Sequence, residues 1–199
     1  MNILSRLNPA TFGPFQWINF AWVALTLYWV ITWFSAKRPA RAESSRERWT
    51  HLAFLLVGAI LLMKDDWPWP LLRARLYPYL PWIAWTGAGL ALFGAAFAIW
   101  ARITIGSNWS AEVQIKEGHQ LIRSGPYRFI RHPIYTGILL MLAGDALAIG
   151  EGRGVLALVL IAIGFARKAK KEESYLASEF GPAFDEHVRR TGFFLPRFS

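Results

Sequence analysis

An all-α integral membrane protein with about five transmembrane helices is the fold that this sequence predicts, and three observations predict it. Of its 199 residues, 54% are hydrophobic, eleven are tryptophan, and two runs of bilayer-crossing length carry no charge. The formal charge is nonetheless +9. Apolar bulk with segregated basic charge suits a membrane protein rather than a nucleic-acid binder, whose basic stripe lies on a soluble fold. The basic residues are also shared unevenly between alternate loops, as they are across a bilayer. This length supports one domain or one bundle. The absence of cysteine excludes disulfides, thiolate metal sites and a cysteine nucleophile, and no metal site is expected.

The elements follow in order. Phe15 to Phe34 has no charge and the length of a spanning helix, and its tryptophans near either end suit the interfacial belts. Only Arg6 precedes it and no small-residue cleavage site follows, so a cleavable signal peptide is not expected. Lys37 to Arg48 is a basic linker. Trp49 to Met63 is a second, shorter apolar run whose flanks can snorkel. Lys64 to Pro78, rich in proline and aromatics, reads as an interfacial loop. Tyr79 to Trp100 is a third span, with Gly87, Ala91 and Ala95, and Gly94 and Ala98, at four-residue spacing. Such a stripe lets another helix approach closely.

After a central loop (101–132) come helices at about 133–149 and 155–180, joined by Gly150 to Gly154; two spans or one helical hairpin fit them. Gly181-Pro182 stops the second, and Ala183 to Arg190 is a short amphipathic piece before the tail. The chain thus divides into N-terminal helices (1–100) and a C-terminal region (101–199). All but five of its 22 Lys and Arg (Arg6, Lys64, Arg73, Arg75, Arg153) fall in the first loop, the central loop and the tail. The central loop and tail are therefore expected on the cytoplasmic side, with the N-terminus outside.

Lys116 to Gly137 gathers two of the four histidines, several arginines and two tyrosines within a mostly apolar chain. Gly125-Pro126 signals a turn. Pro133 suits the first position of a helix, which puts His132 at an entry whose N–H groups and dipole can hold an anion. From composition alone, a basic juxtamembrane loop serves as well.

The order of residues goes further. Gly118-His119-Gln120-Leu121-Ile122, Ser124-Gly125-Pro126-Tyr127-Arg128 and Arg131-His132-Pro133-Ile134-Tyr135-Thr136-Gly137 resemble the isoprenylcysteine carboxyl methyltransferase family and its phospholipid-methylating relatives. Glu172-Glu173, Phe180-Gly181 and Phe193-Phe194-Leu195-Pro196 extend the resemblance over roughly the C-terminal half. It implies S-adenosylmethionine as methyl donor and S-adenosylhomocysteine as product, in a pocket built from the central loop, the last two spans and the tail helix. The family's cofactor contacts fall on His119, Gln120, Leu121, Ile122, Tyr127, His132, Pro133, Ile134, Tyr135 and Glu172, with Gln114 a further match across a loop of different length. The basic residue that orients the acceptor falls on Lys168, where an arginine is familiar; lysine cannot make the bidentate fork. Arg131, Lys168 and His132 are the expected catalytic group. The expected partners are a prenylated or lipid-like acceptor and membrane lipids, with no nucleic acid.

Physical chemistry is compatible with those roles. Aromatic rings can face a sulfonium, and Glu172 can meet an amino group or ribose hydroxyls. A carboxylate acceptor is already ionised at neutral pH and needs no general base. Plainer readings stand beside these. Glu172 can be the helix-surface partner of Lys168, although lysine-first order is the weaker orientation. Tyr127 and Tyr135 can be interfacial anchors, and Arg123 and Arg128 topology signals or lipid contacts. Asp145, inside an apolar run, invites a functional role or lies in water near a hairpin turn. His51 and His187 look incidental. Asn108-Trp109-Ser110 reads as a loop cap or pocket lining. Three other functions compete: a phospholipid amine methyltransferase, which needs a base; an NADPH-dependent membrane reductase of similar architecture, for which no Gly-rich phosphate cradle is found; and a non-enzymatic scaffold.

Overall fold

The computed structural model describes residues 12–33, 45–106 and 121–198. Within them the chain is all-α: α1 (Pro14–Trp33), α2 (Ser45–Met63), the one-turn α3 (Pro70–Arg73), α4 (Pro81–Ile105), α5 (Pro133–Ile149), α6 (Gly152–Phe180) and α7 (Pro182–Arg190), with a 3-10 turn at Gly125–Arg128. Proline sits at the start of α4, α5 and α7, where its missing N–H costs nothing. Gly106, Gly150 and Gly181 end α4, α5 and α6 with positive φ, a conformation that other residues adopt at a cost. The loop expected at 64–78 contains α3, and its Arg75 pairs with Glu151 at the α5–α6 turn.

Pro14–Thr32 and Pro81–Ile105 are long and apolar enough to cross a membrane, whereas Trp49–Met63 and Pro133–Ile149 are apolar but shorter. Their outward faces stay apolar: Val23, Leu27 and Ile31 on α1, and Trp82, Phe93 and Ile103 on α4, are all exposed. Soluble monomers rarely carry such continuous apolar surface.

The centre is an antiparallel α4–α5 pair whose glycines face one another. A Cβ on Gly87 would stand 2.5 Å from the Gly144 carbonyl, and one on Gly94 would stand 2.5 Å from the Gly137 carbonyl. The two contacts are one heptad apart, so the small-residue stripe of α4 zips along α5 with Ala91 and Ala98 fully buried between them. Ile18, Ala21 and Leu25 of α1 join this core. Asp145 of α5 is half-buried; it accepts a 2.9 Å hydrogen bond from the Trp22 indole and ties α1 to α5. On the other side α2 packs on α6, where Gly58 admits Ile161 and Gly164 admits Phe54.

Two buried arginines tie helix ends together. Arg153, 8% exposed, pairs with Glu151 and donates from Nη1 to the carbonyls of Leu61, Leu62 and Lys64 at the end of α2. Arg102, 2% exposed, donates to the Gly106 carbonyl at 2.8 Å and to Thr32 of α1 at 3.2 Å. Both satisfy carbonyls that a helix end leaves without partners. Counted with the central loop on charge alone, Arg102 instead lies in α4, which runs on past Trp100 to Ile105.

Candidate active site

The site forms where α5 begins, beside the charged second half of α6. Gly125, at φ +55, opens the 3-10 turn against Thr104. That turn carries Tyr127 into a buried cluster with Ala101, Ile134 and Ile122. Burial, and then the charge of Glu172, hold the Tyr127 phenol well above its ordinary range, against the pull of Arg102, so it stays neutral. The chain then pairs with the tail. Arg131 N–H donates to the Gly192 carbonyl at 2.9 Å and His132 N–H to the Phe193 carbonyl at 3.3 Å. Thr136 Oγ1 donates to the Phe194 carbonyl at 2.8 Å. The N–H of His132 itself is therefore taken up by the tail.

His132, buried before Pro133, is held by two carboxylates. Its Nε2 lies 3.1 Å from Glu173 and its Nδ1 lies 3.5 Å from Glu172. Glu172 also accepts a 2.6 Å hydrogen bond from the Tyr135 hydroxyl, and Glu173 pairs with Arg131 at 2.5 Å. The result is a continuous network, Tyr135–Glu172–His132–Glu173–Arg131. Rings wall it in. Tyr135 stacks on Phe165 at 4.7 Å, His132 stacks on Tyr135 at 5.7 Å, and Phe193 meets the His132 ring edge-on at 5.0 Å.

Charge follows from this geometry. Burial alone lowers the His132 pKa, but hydrogen bonds and charge from Glu172 and Glu173 outweigh it, and the net direction is up from 6.5. Burial likewise works to raise Glu172, yet His132, Lys168 and Tyr135 bring it below 4.5; His132 and Arg131 do the same for Glu173. The cluster thus sets two carboxylates against Arg131 and against a histidine whose protonated form they favour. Because His132 is raised, its stabilising contribution is complete below pH 6.5 and fades as pH rises through its folded value. Because the glutamates are lowered, theirs is complete above pH 4.5 and fades as pH falls through their folded values. The difference in melting temperature between the unaltered protein and His132→Gln is therefore expected to be flat between about pH 4.5 and 6.5 and to shrink on either side. Thermal melts in detergent across that range check it.

The expected site residues are distributed as follows. His132, Pro133, Ile134, Tyr135 and Glu172 come together at this end of the bundle, with Tyr127 and Ile122 in the adjoining cluster and Leu121 half-buried beside them. Gln114, His119 and Gln120 lie outside the described residues. Lys168 is half-buried, and its charge acts on Glu172. Arg131, expected to steer an acceptor, spends its guanidinium on Glu173 and on the carbonyls of Val188 and Thr191. It clamps the tail. Arg123 does a similar job at Ala183 and Glu186. His187 is buried beneath them; burial and then the charges of Arg123 and Arg131 push it down to about 4, so it is neutral and structural. Sequence reasoning missed Glu173 as the second holder of His132 and Phe165 as the ring beneath Tyr135. For Glu173 the signal was the paired-glutamate motif, and for Phe165 only its place two helical turns before Glu172.

Residues 87–178, which hold most of α4, the central segment, α5 and most of α6, match the model of the isoprenylcysteine carboxyl methyltransferase family. Over that segment the chain is similar to this family. It is 34% identical over 121 residues to the cobalt-zinc-cadmium resistance protein CzcN of Cupriavidus metallidurans, covering 59% of this chain and 53% of that protein. It is 26% identical over 132 residues to a probable protein-S-isoprenylcysteine O-methyltransferase of Oryza sativa, covering 63% and 69%. It is 29% identical over 131 residues to the protein-S-isoprenylcysteine O-methyltransferase of Homo sapiens, covering 64% and 44%. The chain thus spans about half the length of the bacterial and human relatives. The family match and the apolar helices together point to a membrane protein, and the matched segment is the one that builds the His132 network.

The residues fit the donor that the family uses. Stacked rings beside a carboxylate are a surface that a sulfonium with an ammonium group can meet on both counts, and Glu172 lies against Tyr135 with its charge retained.

Proposed function

We propose that this chain is an S-adenosylmethionine-dependent methyltransferase that esterifies an isoprenylcysteine-type carboxylate on a membrane-embedded, lipid-like substrate. The observation that carries the reading is the Tyr135–Glu172–His132–Glu173 network under an aromatic wall, at one end of an apolar bundle. Bound S-adenosylmethionine supplies an electrophilic methyl group. In this reading Glu172 accepts from its ammonium or hydroxyl groups, Tyr135 faces its cation, and Tyr127, Leu121, Ile122, Pro133 and Ile134 line its pocket. Gln114, His119 and Gln120 are its further contacts. Lys168 orients the acceptor carboxylate, while Arg131 and His132 act as positioning groups through Glu173. Loss of opposite charges on transfer favours a dry site with fixed orientation.

The same proposal sets five spans, formed by α1, α2, α4, α5 and the first half of α6. It puts the central segment and the tail on the cytoplasmic side, residues 1–100 as the membrane scaffold and 101–199 as the catalytic region. A phospholipid amine is the poorer acceptor, because it must lose a proton and Glu172 and Glu173 favour the protonated form of His132 over the base that would take it. The test uses detergent-purified protein, methyl-labelled S-adenosylmethionine, N-acetyl-S-farnesylcysteine and, separately, phosphatidylethanolamine. Label that enters the farnesylcysteine and is released by mild base, as an ester is, supports the proposal. Label found only on the amine lipid, or on neither, overturns it.

A further inference from the structure

The tail that pins His132 has a second, outward side. Residues 121–132 and 189–198, which pair along the site, carry six arginines and no acidic residue. Three of the six are spent within the fold: Arg131 on Glu173 and tail carbonyls, Arg123 on Ala183 and Glu186, and Arg190 on Glu186. Arg128 and Arg197 are exposed, and among the described residues neither guanidinium meets an acidic group or a carbonyl. Arg128 lies over the Phe129 ring at 5.6 Å, and Phe129 meets the Phe198 ring at 5.4 Å.

The backbone holds these residues together. The N–H groups of Gly192 and Arg197 both donate to the Phe129 carbonyl, at 2.9 and 3.1 Å, and close residues 192–197 into a loop. A Cβ on Gly192 would collide with the Leu195 carbonyl, so the turn needs its glycine. Inside the loop, Phe193 and Phe194 face the His132 ring at 5.0 and 6.1 Å. Outside it, Leu195 is 77% and Phe198 78% exposed. Helix α5 sets the level of the loop. Its 17 apolar residues from Pro133 rise about 25 Å at 1.5 Å each, which nearly fills the hydrocarbon layer. Residues 129–132, which lead into α5 and carry the loop, therefore stand at the boundary between hydrocarbon and water.

We propose that this loop, with Arg128, is a docking surface for anionic phospholipids of the surrounding leaflet. Exposed apolar side chains beside cations at that level match the junction of acyl chain and headgroup. Leu195 and Phe198 enter the acyl boundary, and Arg128 and Arg197 take lipid phosphates, for which a guanidinium offers a two-pronged donor. The arginines that Glu173 and Glu186 neutralise hold the fold, and the two without such partners read the lipid. Because the loop also bonds His132 N–H through the Phe193 carbonyl, lipid charge governs how firmly the end of the network is held. This rests on the membrane placement of α5 and is independent of the methyltransferase reading.

The experiment is amide hydrogen exchange on the full chain in nanodiscs of phosphatidylcholine alone or mixed with phosphatidylglycerol. A basic residue beside an anionic leaflet gains roughly fivefold in binding. Two are therefore expected to slow exchange at Gly192, Arg197 and His132 by about tenfold or more when phosphatidylglycerol is present. The double variant Arg128→Gln with Arg197→Gln is expected to exchange alike in both bilayers, as is the unaltered protein in high salt. Equal exchange in the unaltered protein at low salt overturns the proposal. So does a slowing that persists in the double variant, which places the lipid elsewhere, or one shared equally by α2, which marks general stabilisation. No readout uses a cofactor or an acceptor, so a failure here is distinct from a failure of the methyltransferase reading.

Discussion

Changing Glu172 to Gln is expected to weaken S-adenosylmethionine binding by roughly 10- to 100-fold, with the helical circular dichroism of the protein unchanged. The side chain keeps its shape and can still accept from the Tyr135 hydroxyl, which now bonds it at 2.6 Å. What disappears is a carboxylate that burial alone would neutralise and that His132, Lys168 and Tyr135 keep charged. A cationic ligand meeting that group loses a charge-assisted contact, the strong kind. Glu173→Gln provides the contrast. Glu173 turns to Arg131 and to His132 Nε2, so its loss is expected to loosen the tail and lower the melting temperature more than it lowers affinity. Calorimetry on the two variants decides the matter: equal binding by Glu172→Gln and the unaltered protein would remove Glu172 from the cofactor site.

The all-α class was legible because its signals are local. Two long charge-free runs, prolines at helix starts and glycines at helix ends each act within a turn or two, and Gly181-Pro182 stops α6 by chain stereochemistry alone. The small-residue stripe of α4 was legible for the same reason. Its partner was not, because the facing Gly137 and Gly144 acquire meaning only once α5 lies antiparallel at the right height.

The arginines show where reading along the chain stops. Charge placed Arg102 with the loop residues and Arg153 with the opposite side of the membrane. Their side chains are in fact buried, because helix-end carbonyls from other segments gather around them. Arg131 and Arg123 likewise find carbonyls of the tail some sixty residues away. An acceptor that is a backbone carbonyl leaves no mark in the sequence, whereas an acidic partner does. Within the candidate site, the neighbours of His132 at Glu172 and Glu173 were anticipated as a paired-glutamate motif, but not that both carboxylates would hold one ring. His51 gains its place the same way: nothing within its own helix brings it to Phe165, and only the packing of α2 on α6 does.

Gly94→Leu is expected to destabilise the protein more than any exposed substitution, and to remove cofactor binding although it touches no site residue. A Cβ at Gly94 would meet the Gly137 carbonyl at 2.5 Å, Met141 N at 2.8 Å and the Leu140 Cβ at 3.0 Å. The first two are backbone atoms of α5 and cannot swing aside as a side chain can, so the helices must part. Overpacking of this kind costs about 1–3 kcal/mol and sometimes more, and interiors transmit the strain instead of absorbing it. The strain acts on α5, whose first turn carries Tyr135 next to the N-cap His132. Parting the helices draws both from Glu172 and Glu173 on α6. Gly89, five residues earlier on the same helix, is the control, since a Cβ there meets nothing within 4 Å. Gly89→Ala is expected to be neutral or to stabilise by up to about 1 kcal/mol, through the better helix propensity of alanine. Melting temperature and S-adenosylmethionine affinity, measured on both variants in one detergent, separate the two. If Gly94→Leu melts with the unaltered protein, the close α4–α5 approach is not what holds the site together.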